Sequence, residues 1–285
     1  MSTISRTTAC ALSIDAHPHP PGIYVKTLTA ASGKEVQARG EAKAKITAPT
    51  AVVGQEGVFE GRLLVWTEID IKGRWLNKEK DEDLSPEEKM SINIPENAAP
   101  NYKNYNYVFF EKNHRLYIET MTDTKDTLGP ITVRKIFSNL LSPERTYIKD
   151  VSFAVTLIPD EEAVEEILSL PHLRKLELQI RTPNPDHASP EARRRIHRMM
   201  EENNAHTWEQ TIKKDNNVDR LTPSEEVKDL ARVAAETGYV RGEEKPRGGR
   251  ARVVATDNRP KQWWMTSDEG ETFFARIRTA LARRS

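Results

Sequence analysis

Arginine is the residue type whose spacing in this chain points most directly to chemistry. Arg193, Arg194, Arg195 and Arg198 crowd one short stretch. Arg247, Arg250, Arg252, Arg259 and Lys261 follow further on, with Trp263 and Trp264 beside them. Arg276, Arg278, Arg283 and Arg284 lie near the end. A guanidinium is a planar fork of donors that matches phosphate oxygens, so such clusters are candidate phosphate contacts. An aromatic ring next to cations suits stacking on a base, and equally suits packing in a core. The nucleic-acid-binding expectation therefore rests on Arg193, Arg194, Arg198, Arg247, Arg250, Arg252, Arg259, Lys261 and Trp263, with Trp264 as the alternative stacking ring.

Other chemistries have weaker footing. His17 and His19 alternate in a Pro-flanked segment with no second ligand pair nearby, and His187, His197 and His206 have no metal-site spacing, so no metal is expected. Cys10, the one cysteine, has no local partner and excludes an intrachain disulfide framework. Neither a Gly-x-Ser-x-Gly elbow nor a glycine-rich nucleotide loop occurs, and no cofactor is expected. Asp81-Glu82-Asp83 reads as a solvated loop flanked by lysines. Asp150 and Glu177 sit on expected strands, but nothing in the sequence brings them together as the carboxylates of a metal-dependent nuclease.

The charge balance bears on partners. The 285 residues hold 43 Lys+Arg and 43 Asp+Glu, which excludes a uniformly basic coat protein. The cancellation is uneven along the chain. Residues 1–142 hold 18 of each sign, residues 143–240 hold 14 basic and 19 acidic, and residues 241–285 hold 11 basic and 6 acidic. A basic C-terminal stretch thus follows an acidic middle, and a basic face depends on the fold. No apolar run is long enough to span a bilayer and the N-terminus lacks a secretory pattern, so a cytoplasmic location is expected.

The elements that must position these residues fall into three regions: 1–104 β-rich, 105–188 α+β, and 189–285 helices with a hairpin. Residues 1–22 are weakly periodic and end in Pro-Gly punctuation, which reads as a loose lead-in. Residues 23–30 read as a strand, 36–47 as another, and 57–71 as the clearest β segment of this region, with Gly61 marking a bulge or a close backbone approach. Ser85-Pro86-Glu87-Glu88 has the form of a capped helix start, and 90–94 reads as an edge strand.

From Tyr105 the pattern is more regular. Residues 105–121 read as a β-hairpin, 130–141 as an amphipathic helix, 147–158 as a strand, 160–170 as a helix capped by Asp160, and 173–181 as a strand. This β-β-α-β-α-β order gives an α+β class with mixed or antiparallel sheets, for which a ferredoxin-like unit is the nearest template. Ser189-Pro190-Glu191 starts a helix reaching at least residue 202, and residue 214 if Ile196, Met200, Trp208 and Ile212 mark one stripe. A helix at 225–236, a hairpin at 239–243 and 250–255, a strand at 261–265 and a terminal helix complete the chain.

Val108-Phe109-Phe110, Leu116-Tyr117-Ile118, Arg134-Lys135-Ile136-Phe137, Val151-Ser152-Phe153-Ala154-Val155 and Leu176-Glu177-Leu178-Gln179-Ile180 carry a resemblance. In element order the chain resembles an uncharacterised bacterial domain-of-unknown-function family and, more loosely, the RexA-type phage-exclusion proteins and the DNA-binding subunit of the Kiwa defence system. That resemblance implies a sequence-tolerant DNA-binding protein of anti-phage defence that forms a homodimer, and it carries over no individual site residue. The leading expectation is a non-catalytic nucleic-acid-binding accessory protein for DNA or RNA. The alternatives are a metal-dependent nuclease and an interaction scaffold using the aromatic strands at 59–66 and 105–110.

Overall fold

The computed structural model describes residues 5–95, 97–148, 150–181, 191–246, 248–267 and 270–283. Ser5–His17 forms β1 and Ile23–Ala31 forms α1. Val36–Arg39 (β2), Ala42–Ile46 (β3), Thr50–Ala51 (β4) and Val58–Thr67 (β5) follow. Leu76–Asn77 (β6) and Glu82–Asp83 (β7) pair as a small separate ribbon before the short helix Pro86–Met90 (α2). Next come Lys103–Phe110 (β8), Arg115–Met121 (β9), Pro130–Leu140 (α3), Pro143–Thr146 (α4), Ser152–Leu157 (β10), Glu161–Ser169 (α5) and Leu173–Arg181 (β11). Glu191–Glu202 (α6), Thr207–Lys213 (β12), Glu225–Thr237 (α7), Tyr239–Glu244 (β13), Arg252–Ala255 (β14), Gln262–Ser267 (β15) and Phe273–Ala282 (α8) complete the chain.

These elements build an α+β fold of antiparallel sheets. The nine-stranded sheet runs β10-β1-β9-β8-β5-β3-β2, with β15 also on β1 and β4 on β5. It takes strands from all three regions that composition marks out. Its long strand β1 is shared: Ser5–Cys10 pair with β15, Leu12–His17 pair with β10, and β9 runs along the other side. A second, four-stranded sheet runs β12-β11-β13-β14.

Three apolar clusters hold these layers. On one face of the large sheet Cys10, Leu12 and Ile14 of β1 join Tyr105, Tyr107 and Phe109 under Val133, Ile136, Phe137 and Leu140 of α3. On the opposite face Ala9, Ala11, Val108, Tyr117, Trp263 and Met265 lie under Phe273 and Ile277 of α8. Burying each of those two α8 side chains contributes about 1.5–3 kcal/mol, which docks the terminal helix. In the smaller sheet Leu176, Leu178, Ile180 and Val240 face Val164 and Ile167 of α5, Ile196 and Met200 of α6, and Leu230 and Val233 of α7.

Several expectations are corrected. Residues 5–17 are a central strand, because both faces find a core. Residues 23–31 are helical: Ile23, Tyr24, Thr27, Leu28 and Ala31 are the buried positions, a spacing of helical period. The stretch 36–47 is two strands joined at Gly40 rather than one. The edge strand expected at 90–94 is absent, since α2 runs through Met90. The strand expected from 147 begins at Ser152, after Pro143–Thr146 takes a helical turn and Tyr147 adopts φ 56°. α6 ends at Glu202, where Asn204 turns left-handed at φ 49°, and Trp208 and Ile212 lie on β12.

The ferredoxin-like unit is not one sheet. β8, β9 and β10 belong to the large sheet with β1 inserted between β9 and β10, while β11 belongs to the smaller sheet. The hairpin β8–β9, the helices α3 and α5, the pair β13–β14 and the strand β15 lie where the pattern puts them. Asp160 caps α5 by accepting from Glu162 N at 3.1 Å, and Ser85 with Glu88 forms a reciprocal capping box on α2. Gly61 is a close approach and not a bulge: it stands directly opposite Tyr107, and a Cβ there would lie 2.4 Å from the Tyr107 ring.

Candidate functional site

The arginines of α6 are positioned by its apolar stripe. Ile196 and Met200, one turn apart, are buried against the smaller sheet, which turns Arg194, Arg195 and Arg198 outward. With Glu191 and with Glu226 and Asp229 of α7 they line an open cleft of about 770 Å³. Arg195 is held by the Glu226 carboxylate. Arg194 and Arg198 have no hydrogen bond or ion pair among the described residues. At i and i+4 their Cβ atoms stand about 6 Å apart on one helix face, so two guanidinium forks point the same way. His197, half-buried, meets Glu201 Oε2 through Nδ1 at 3.3 Å. The side chain of Arg193 and the helix start at Ser189-Pro190 lie outside the described residues, as does Arg247.

The remaining cations are mostly neutralised in place. Arg252 binds Glu244, whose side chain is 5% exposed. Arg259 binds Glu166 of α5. Arg241 donates to Asp257 Oδ2 at 2.9 Å and lies over the Tyr239 ring at 4.0 Å. Arg276 is buried and donates to Glu119 Oε1. Arg278 lies over Phe274, and the Lys261 ammonium is 5.6 Å from the Trp263 ring centre. Arg250 is exposed and has no partner among the described residues. The basic C-terminal stretch is therefore partly cancelled by acids brought to it from elsewhere in the chain.

The fold does not merge the arginine groups. α7 packs against both α6 and α5; Arg194 and Arg198 stand on α6, whereas Arg259 is drawn to Glu166 of α5. The two tryptophans divide because β15 alternates. Trp263 is 4% exposed and packs edge-on against Tyr117, with ring centres 5.3 Å apart. A ring so placed cannot receive a base. Trp264, on the opposite face of β15, is 66% exposed and can. The aromatic side chains of Tyr105, Tyr107 and Phe109 are fully buried, which removes them from any partner surface.

A second group of residues, dispersed in sequence, is assembled at the end of β1. Tyr24 Oη lies 3.0 Å from His19 Nδ1. The His114 ring stacks on Tyr24 at 4.1 Å between centres and meets His19 edge-on at 4.9 Å. His114 is buried and takes the left-handed turn conformation, φ 52°, that closes the β8–β9 hairpin. The ring of His17, the last residue of β1, lies 6.1 Å from that of His206, just ahead of β12. The only sign of this group in the sequence is the alternation of His17 and His19; His114 and His206 come from distant turns.

The carboxylates do not form a nuclease centre among the described residues. Asp83 is gripped by Arg74 through Nε and Nη2, Glu177 is paired with Lys175, and Asp150 lies exposed in a turn. No three His, Cys, Asp or Glu side chains converge as a metal site among the described residues. Cys10 is fully buried, and burial pushes its thiol up to about 12. No helix among the described residues is long and apolar enough to cross a membrane.

The fold and this distribution of charges define an α+β protein of antiparallel sheets with an open arginine-lined cleft on α6. The chain belongs to the DUF4747 family, a domain of unknown function, whose family model matches residues 5–281. No curated protein matches the chain.

Proposed function

We propose that this protein binds nucleic acid with little sequence preference, through phosphate contacts made by Arg194 and Arg198. The observation that carries the reading is that these two guanidinium groups are exposed, one helical turn apart and without a protein partner among the described residues, on the wall of an open cleft. Arg252 and Arg259 of the candidate set are already occupied by carboxylates. Free arginines displace condensed counterions from a phosphate backbone, which gives affinity without reading bases. Exposed Arg250 is a further contact and Trp264 a stacking ring for an unpaired base. A homodimer acting in anti-phage defence is the setting that the resemblance to RexA-type and Kiwa proteins supplies for the same proposal, alongside the cytoplasmic location expected from the sequence.

The test is a fluorescence anisotropy titration of labelled duplex and single-stranded DNA and RNA across a salt series. Binding is expected to weaken linearly on a log–log plot, and Arg194→Glu with Arg198→Glu is expected to reduce both the affinity and the slope. Absence of binding at low salt, or an unchanged slope in the double variant, overturns the proposal. Sedimentation of the free protein reads the dimer separately.

A further inference from the structure

Three strand ends bring together groups that carry, or can take, positive charge. His17 ends β1 in the large sheet, and its imidazole lies 6.1 Å from that of His206, tilted by 44°. His206 directly precedes β12 in the smaller sheet. Arg181 ends β11 and, in the β11–β12 register, stands opposite Thr207, the residue after His206. Both imidazoles are exposed and Arg181 is half-buried, so the space between them opens to solvent.

Asp15, two residues before His17 and on the same face of β1, accepts from Ser13 Oγ at 3.2 Å, and Arg181 also lines a cleft with Arg134 and Asp257. β10 presents Ser152, whose hydroxyl donates to the His17 carbonyl. His19 is turned toward Tyr24 and His114. His206 is held below the ordinary histidine value, first by burial and then by His17 and Arg181. His17 and Arg181 thus oppose the protonation of His206, an arrangement that an oxyanion between them would relieve.

We propose that His17, His206 and Arg181 form a binding site for a phosphate dianion of the kind carried by a phosphomonoester. Two imidazolium N–H groups and the guanidinium fork supply charge-assisted donors to its oxygens. Protonation of the rings adds donors and positive charge beside the Arg181 guanidinium. Binding therefore takes up protons, and affinity rises as pH falls through the histidine range. This site shares no residue with the Arg194–Arg198 pair and does not depend on the nucleic-acid reading.

The experiment follows the histidine ring protons of the full chain by NMR across pH, in chloride and in inorganic phosphate at equal ionic strength. Phosphate is expected to raise the pKa of His17 and His206 saturably and to leave buried His114 unmoved. His206→Gln and, independently, His17→Gln are each expected to weaken phosphate binding at least about tenfold near pH 6 and much less near pH 8, whereas Arg181→Gln weakens it at both. A 5′-phosphorylated oligonucleotide preferred over its 5′-hydroxyl twin assigns the site to a nucleic-acid end. Equal binding of the two, with inorganic phosphate still bound, assigns it to a small phosphate. Imidazole pKa values identical in chloride and phosphate, or phosphate affinity unchanged in both histidine variants, overturn the proposal.

Discussion

Arg276 of α8 donates through Nη2 to Glu119 Oε1 of β9 at 3.2 Å, with the two side chains only 5% and 1% exposed. Glu119 Oε2 accepts from the backbone and side-chain nitrogens of Asn106, and Arg276 Nη1 donates to Thr7 Oγ1. A candidate phosphate-binding arginine is thus a structural tie between the terminal helix and the large sheet.

Removing one member of that pair should cost far more than removing both. Arg276→Met leaves a buried carboxylate uncompensated, for an expected loss of about 3–5 kcal/mol in urea unfolding. Adding Glu119→Gln, which keeps an acceptor for Asn106, is expected to restore more than about 1 kcal/mol. The dependence on pH has a definite sign. Burial already holds Glu119 above the ordinary carboxylate range, against the lowering effects of Asn106 and Arg276. A folded carboxyl with a raised pKa keeps its proton where the unfolded chain releases it, so stability is lost as pH rises. Without Arg276 that loss should steepen, and a single variant equally destabilised in weak acid and at neutral pH would refute the charge argument.

Gly238 joins α7 to β13 at a place where only a hydrogen fits. A Cβ there would lie 2.0 Å from the carbonyl oxygen of Gln179 on β11. Since the obstacle is backbone in the centre of a sheet, Gly238→Ala should cost about 1–3 kcal/mol or more and lower Tm accordingly. A variant with an unchanged Tm would show that α7 can shift at its end without penalty.

Sequence pattern reached those elements whose local signal and tertiary role agree. The hairpin β8–β9 alternates, α3 shows a four-residue stripe, and Asp160 marks a helix start where a side-chain cap forms. β1 escaped because both of its faces are buried, so alternation disappears, and because Ala9, Ala11 and Ser13 are too small to raise an apolar signal. α1 escaped because its Ile, Tyr, Val and Thr content suits strands, although its buried positions follow a helical period. The division of strands into two sheets depends on β1 pairing with β9, β10 and β15, contacts made far along the chain that no local pattern encodes. The same distance hid the candidate sites: Glu226 beside Arg195 and His206 beside His17 come together only in the fold.

Cys10 illustrates a reactive residue type made inert by position. It is 0% exposed within β1 and burial pushes its thiol up to about 12. The thiolate is the reacting species, so both access and ionisation are denied. A disulfide reagent at mildly alkaline pH should label none of the native protein and one thiol per chain in denaturant. Rapid labelling of the native protein would mean that β1 opens from the sheet.

His206 should make the protein sensitive to acid in a phosphate-free buffer. Burial, His17 and Arg181 hold it below the ordinary histidine value in the folded state. As pH falls, the unfolded chain takes up its proton first, at about 6.5, while the folded chain still resists. Unfolding is therefore favoured as pH drops from that value through the depressed folded one, and the contribution is absent above it. His206→Gln is expected to flatten this part of the curve of unfolding free energy against pH, measured in chloride from neutral to about pH 5. Because the position is largely solvent-facing, the change should be small, and Arg181→Gln should flatten the curve in the same direction by removing one of the two opposing charges. A steeper acid loss in either variant would mean that His206 is stabilised, not opposed, by its neighbours.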